Sequence, residues 1–224
     1  MSEKATYLTS CLADFRNTSG PIIDVRSPRE FSKGHLPGAI NLPLFSDSER
    51  DLIGKIYKKE SREKAIYQGL KITLPKIKNL LNSLLEMVNK NENPENSLRI
   101  YCWRGGMRSG TFGWLAASIG IKTSILRNGY KSYRKWVLYQ FEKNYPVRLL
   151  GGKTGTGKTD ILNSITNNKI HIIDLEGLAN HRGSSFGSLG MKQQPTSQQF
   201  ENIIAEKLDL FSKDNSKEMW VEAE

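Results

Sequence analysis

Residues 147–159 constrain the fold more tightly than any other stretch of the chain. Val147-Arg148-Leu149-Leu150 reads as a short strand and runs straight into Gly151-Gly152-Lys153-Thr154-Gly155-Thr156-Gly157-Lys158-Thr159. Gly152 to Thr159 match the phosphate-binding template Gly-x4-Gly-Lys-Ser/Thr at every defined position. Gly152, Gly155 and Gly157 let the loop close around phosphate oxygens, with its N–H groups turned inward. Lys153, Thr154 and Thr156 fill the remaining loop positions, Lys158 supplies a point charge, and the Thr159 hydroxyl can hold a magnesium ion. Asp160-Ile161-Leu162, onward to Ile165, continues as a helix. A strand–loop–helix unit of this kind belongs in a parallel α/β sheet.

A second loop of related design lies upstream. The strand-like run Leu98-Arg99-Ile100-Tyr101 leads into Cys102-Trp103-Arg104-Gly105-Gly106-Met107-Arg108-Ser109, and an amphipathic helix follows through Thr111 to Ile119. Cys102 then sits at the base of an anion-cradling loop, facing a helix N-terminus. Backbone N–H groups, Arg104 and Arg108 should favour its thiolate, the reactive form. Cys11, in Tyr7-Leu8-Thr9-Ser10-Cys11-Leu12-Ala13-Asp14-Phe15, has no such loop, and the spacing predicts an ordinary helix with an inert, packed cysteine. Two cysteines in unlike contexts make no disulfide framework, and the sequence offers no Cys/His cluster with metal-binding spacing.

Between these signals strands alternate with helices. Pro21 to Arg26 predicts a buried strand, with a turn at Ser27-Pro28 and a helical turn through Glu30 and Phe31; another strand-like run ends the segment His35 to Leu42. Residues 46–70 read as a helical insertion. Ile77, Leu80, Leu81, Leu84, Leu85 and Val88 follow the spacing of a core helix. Thr123 to Leu126 predicts a strand, and the pattern restarts at Tyr145-Pro146. In the second region Ile170 to Ile173 predicts a strand ending in the carboxylates of Asp174 and Glu176. A helix capped by Thr196 with Gln199 and a strand from Met219 follow. Only 78 residues, 147–224, are left for this region, too few for a full sheet of about five strands. The expectation is a truncated chain with an exposed apolar sheet edge.

The net charge of +10 is concentrated in the first part: residues 1–146 carry 24 Lys and Arg against 13 Asp and Glu, residues 147–224 carry 9 against 10. Residues 96–145 hold nine of the bases (Arg99, Arg104, Arg108, Lys122, Arg127, Lys131, Arg134, Lys135, Lys143) and one acid, Glu142. Such a surface attracts polyanions, nucleic acid first among them. Tyr130, Tyr133 and Trp136, interleaved with Lys131, Arg134 and Lys135, offer rings for base stacking, or else the core face of a helix. No apolar run approaches the roughly 20 residues that span a bilayer and no signal region opens the chain, so the expectation is a cytoplasmic protein.

Asp24-Val25-Arg26, His35-Leu36-Pro37-Gly38-Ala39-Ile40-Asn41 and the Cys102 loop together resemble a rhodanese domain, a family that carries sulfur or selenium on its loop cysteine. With the second loop, Gly129-Tyr130-Lys131-Ser132-Tyr133-Arg134 and the run Asp174 to Gly187, the resemblance extends over nearly the whole chain to the tRNA 2-selenouridine synthases. It implies an α/β architecture: a rhodanese-like parallel-sheet domain over residues 8–141, then the N-terminal part of a P-loop NTPase-like domain over 146–224. It further implies a selenotransferase that replaces sulfur by selenium in wobble 2-thiouridine of tRNA, using selenophosphate, through an S-geranylated intermediate made from geranyl diphosphate. Cys102 would carry the selenium, and Arg104, Arg108 and the loop N–H groups would hold selenophosphate or the leaving phosphate. Gly152 to Thr159 would bind a diphosphate, that of the geranyl donor or of a nucleotide, with magnesium where needed and no tightly bound cofactor. Competing readings are a phosphatase, since Cys102 to Arg108 also fits Cys-x5-Arg, a sulfurtransferase, or a nucleotide-responsive RNA-binding adaptor.

Overall fold

The computed structural model describes residues 7–90, 95–152, 156–164, 170–182, 187–214 and 218–222. The chain divides into two units, Met1–Tyr133 and Arg134–Glu224. The first contains, in order, β1 (Leu8–Ser10), α1 (Leu12–Asn17), β2 (Ile22–Asp24), α2 (Pro28–Ser32), β3 (Ile40–Asn41), α3 (Asp47–Lys59) and α4 (Arg62–Thr73). A 3-10 turn (Leu74–Lys76), α5 (Ile77–Lys90), β4 (Ser97–Tyr101), α6 (Met107–Ser118), β5 (Lys122–Leu126) and the start of α7 (Gly129–Phe141) follow. Its five strands pair in the order β1-β5-β4-β2-β3, all parallel.

The sheet is covered on both faces, as a parallel sheet must be. Leu98, Ile100 and Tyr101 of β4, at its centre, are fully buried. Leu80, Leu84 and Val88 of α5 pack into the same cluster. Burying a leucine such as Leu84 contributes about 1.5–3 kcal/mol. Leu85, at the margin of that stripe, is exposed. The insertion at 46–70 is a pair of helices, each started by a serine: Ser46 and Glu49 form a capping box on α3, and Ser61 accepts from Lys64 N on α4.

One expectation is overturned here. Residues 7–15 do not make a single helix, because Leu8 to Ser10 pair with Ser124 to Leu126 as a sheet strand. Cys11 is the exposed N-cap of α1, accepting from Asp14 N at 3.5 Å, and is not packed. The strand is decided by a partner more than a hundred residues away, which local periodicity does not register.

The second unit holds the rest of α7, then β6 (Val147–Leu150), α8 (Lys158–Ser164), β7 (Ile170–Ile173), α9 (Leu175–Ala179), α10 (Ser197–Lys213) and β8 (Glu218–Glu222). Its described strands pair in the order β6-β8-β7, all parallel. Ile173, Leu208, Phe211 and Met219 form the core. Thr196 caps α10 as the sequence predicts. Asp174 directly follows β7 and caps α9, its side chain accepting from Gly177 N. Leu149 of the edge strand β6 is 66% exposed.

Candidate active site at the Cys102 loop

Cys102 follows the last residue of β4 and precedes the N-terminus of α6, at the carboxyl end of the central strand. It is 3% exposed, with Sγ 3.3 Å from Ser109 Oγ; the Ser109 hydroxyl also lies 3.0 Å from Gly106 O. The N-cap of α6, Gly106, makes no side-chain cap, so no side chain at that position covers the first-turn N–H groups. A helix start of this kind attracts an anion.

The loop is bolted to the start of α7. Tyr130 N donates to Cys102 O at 2.8 Å, and Lys131 N to Trp103 O at 3.1 Å. Gly129 must be glycine: its φ is +54°, and a Cβ there would lie 2.1 Å from Cys102 O. Asn128 precedes it at φ 60°, a conformation that asparagine tolerates.

Beneath this contact lies a buried brace. Arg26 and Asp24 are 1% and 0% exposed and paired at 2.6 Å, with Arg26 Nε donating to both carboxylate oxygens at 3.0 Å. Arg26 also donates to Gly34 O, and its guanidinium lies 3.9 Å from the centre of the Tyr130 ring. Asn41 donates to the carbonyls of Asp24 and Arg26. Tyr101 Oη accepts from Leu36 N; burial first, then the Asp24 charge, holds its phenol well above the ordinary value. Asp24, Arg26 and Asn41 thus support the loop and are not themselves placed for chemistry. Two opposite charges around one buried valine were the sequence signal for this brace.

Arg104 is exposed beside Cys102, whereas Arg108 is engaged elsewhere. The Arg108 guanidinium donates to both oxygens of Glu30, at 2.5 and 3.3 Å. Burial pushes the Glu30 carboxyl up, but the hydrogen bond and charge of Arg108, with the Ser27 N–H and the Arg50 charge, together outweigh it and hold the group below its usual range. In this structure the residue expected to clamp an anion, Arg108, is engaged by a long-range carboxylate.

Of the two aromatic readings, the core face of a helix holds for Tyr130 and Tyr133. Tyr130 and Tyr133 are fully buried core residues, and the exposed ring at the loop is Trp103. Of the nine bases, Arg99 donates to the carbonyls of Phe15, Arg16 and Gly20, Arg108 pairs with Glu30, and Arg134 pairs with Glu201 and Asn202. Arg104, Lys122, Arg127 and Lys131 stay exposed on the first unit.

In the second unit, Lys153, Thr154 and Gly155, with the side chain of Thr159, lie outside the described residues. Gly157 has φ +77° and precedes α8. Lys158 Nζ donates to Gly152 O at 2.9 Å and sits 3.6 Å from Glu222 Oε1, both side chains 6% exposed. Pairing of Leu150 with Glu222 across β6 and β8 brings that carboxylate to the loop. At Gly152 a Cβ would meet Thr156 Oγ1 at 3.1 Å and Lys158 Cδ at 3.3 Å, so glycine leaves room for the folded-back lysine.

The rhodanese-like domain family matches residues 8–135, and the tRNA 2-selenouridine synthase AAA domain matches residues 145–224. The chain belongs to the tRNA 2-selenouridine synthase family. A tRNA 2-selenouridine synthase from Sulfurovum sp. (strain NBC37-1) is 41% identical over 209 residues, covering 90% of this chain and 54% of that protein. One from Pseudomonas syringae pv. syringae (strain B728a) is 40% identical over 197 residues, covering 86% and 51%. The chain therefore spans about half the length of the curated synthases it matches. The crystal structure of the N-terminal domain of a protein described as ATP/GTP binding, from Clostridium difficile 630, is 34% identical with a TM-score of 0.53. It covers 58% of this chain and 98% of that one. Among the described residues, no helix of this synthase-family chain is long and apolar enough to cross a membrane.

Proposed function

We propose that this chain takes part in forming 2-selenouridine in tRNA, with the Cys102 loop as the reacting centre. The observation that carries the reading is the position of Cys102: a lone cysteine at the carboxyl end of the central strand, under an uncapped helix N-terminus, in a chain about 40% identical to named synthases. In this reading selenophosphate is the selenium donor and Cys102 the nucleophile. The first-turn N–H groups of α6 and Arg104 hold the phosphate oxygens, since donors aimed at a developing oxyanion stabilise transfer. The Cys102 thiolate bonds to C2 of the uridine as the C–S bond breaks, and the sulfur leaves with its geranyl group, taking a proton to become a thiol; the selenium of selenophosphate then bonds to C2 as the C2–Cys102 bond breaks, and water cleaves the Se–P bond to release phosphate. The P-loop, with Lys158 released from Glu222, binds the diphosphate of the geranyl donor. Exposed Arg104, Arg127 and Lys131 attract tRNA phosphates and Trp103 offers a face to a base.

The test is Cys102→Ser in a strain lacking its own synthase, grown with selenite, with mass spectrometry of wobble nucleosides. Loss of 2-selenouridine with tRNA affinity within about twofold of the parent is expected. Persistent 2-selenouridine in the variant would remove Cys102 from the chemistry.

A further inference from the structure

Cys102 is 3% exposed, so a nucleobase reaches its Sγ only by leaving the stack of its own strand. The bases beside it then lose a stacking partner, and proteins that bind unpaired RNA replace that partner with side-chain rings. Such a ring stands on the helix that begins at the Cys102 loop.

α6 buries Phe112, Leu115, Ala116 and Ala117, and turns Met107 and Trp114 outward, 56% and 58% exposed. Seven residues apart, these two share one face, about 10.5 Å from each other along the axis. Gly110 lies between them on that face. A Cβ at Gly110 would meet Tyr7 Oη at 3.5 Å, and one at Gly113 would stand 2.9 Å from Tyr7 Cγ, so the Tyr7 ring flanks the strip that these glycines keep bare. Backbone without a side chain leaves room for a flat ring to lie against the helix beside the Trp114 indole. The face is also close to the reacting centre: Ser109, whose Oγ lies 3.3 Å from Cys102 Sγ, is five residues before Trp114, about 7.5 Å of helix.

Charge selects the occupant. Met107 to Ser118 include no acidic residue, exposed Arg104 stands three residues before α6, and exposed Lys122 four residues after it. An apolar peptide gains nothing from these cations, whereas an RNA strand brings phosphates to them and bases to the rings.

We propose that the exposed face of α6 is a stacking platform on which Trp114 holds an unpaired base of the loop that contains the reacting uridine. The identity of that RNA rests on the function proposed above. Stacking beside Cys102 keeps the strand open while the uridine turns inward, and Arg104 and Lys122 meet phosphates at the two ends of the helix.

The test is a double-mutant cycle between protein and RNA. Affinity of the full chain is measured for an anticodon stem–loop carrying 2-thiouridine, and for the same RNA with an abasic nucleotide placed in turn at each other unpaired position of the loop. Trp114→Ala should weaken binding to the intact loop about tenfold, near the low end of what a base–ring stack contributes, whereas Trp114→Phe keeps a ring and should cost less than about threefold. With one of the abasic RNAs the Trp114→Ala loss should shrink below about twofold, because the base that the indole served is already gone. The slope of affinity against salt should stay the same, since no phosphate contact is removed. A loss under about twofold on the intact loop, or one of equal size with every abasic RNA, overturns the platform and leaves the indole to a protein partner or to solvent. A changed salt slope also overturns it, by assigning the effect to displaced cations. Binding needs no turnover, which separates this inference from the function on which it rests. If the coupling is found and no 2-selenouridine forms, the reaction falls and the platform stands; if 2-selenouridine forms without the coupling, only the platform falls.

Discussion

Replacing Gly129 by alanine tests whether the α7 start holds the Cys102 loop. The new Cβ would stand 2.1 Å from Cys102 O, 2.6 Å from Gly105 N and 2.8 Å from Trp103 C, all backbone atoms with no rotamer to yield. Relief requires the loop and helix to part by more than an ångström. That breaks the hydrogen bonds from Tyr130 N and Lys131 N, at 2.8 and 3.1 Å. Each is worth about 0.5–1.5 kcal/mol, and the left-handed φ of +54° costs a further 1–2 kcal/mol or so for alanine. The expected loss is about 2–5 kcal/mol, a large share of the roughly 5–15 kcal/mol of a typical domain. Gly120→Ala is the control: φ is +80°, but nothing lies within 4 Å of its Cβ, so only the conformational cost of about 1–2 kcal/mol applies. Urea unfolding followed by tryptophan fluorescence, with slopes compared, reads both. If Gly129→Ala costs no more than Gly120→Ala, the loop is not held as described.

Two further outcomes follow from the same unit. Asp24→Ala leaves the fully buried Arg26 guanidinium without its counter-charge and should cost about 3–5 kcal/mol in urea unfolding, whereas the paired change Asp24→Leu with Arg26→Met should recover most of that loss. A single variant costing under about 1 kcal/mol would contradict a buried pair. The Glu30 carboxyl, held below its ordinary 4.5 in the folded state, contributes stability that is present above that value and is lost as pH falls through the lower folded value. Glu30→Gln should therefore flatten the acid limb of the stability profile below about pH 4.5, and an unchanged limb would show that Arg108 does not hold this carboxylate.

Much of the architecture was legible in residue order alone. Leu80, Leu84 and Val88 recur at helical spacing, and both strand–loop–helix units are written in contiguous residues because glycine, lysine and cysteine at fixed offsets determine what a loop can hold. The position of Cys102 at a strand end needed no distant partner to predict. Tertiary structure alone decided which charges and rings remain available. Arg108 is occupied by Glu30, 78 residues away; Tyr130 and Tyr133 are core because α7 folds onto the Cys102 loop; Leu8 to Ser10 are a strand because β5 lies beside them. A cavity lined by Met107 exists only where α3 and α4 meet α6. Local propensity acts through neighbours in the chain, whereas burial, ion pairing and empty volume depend on residues brought together from far apart.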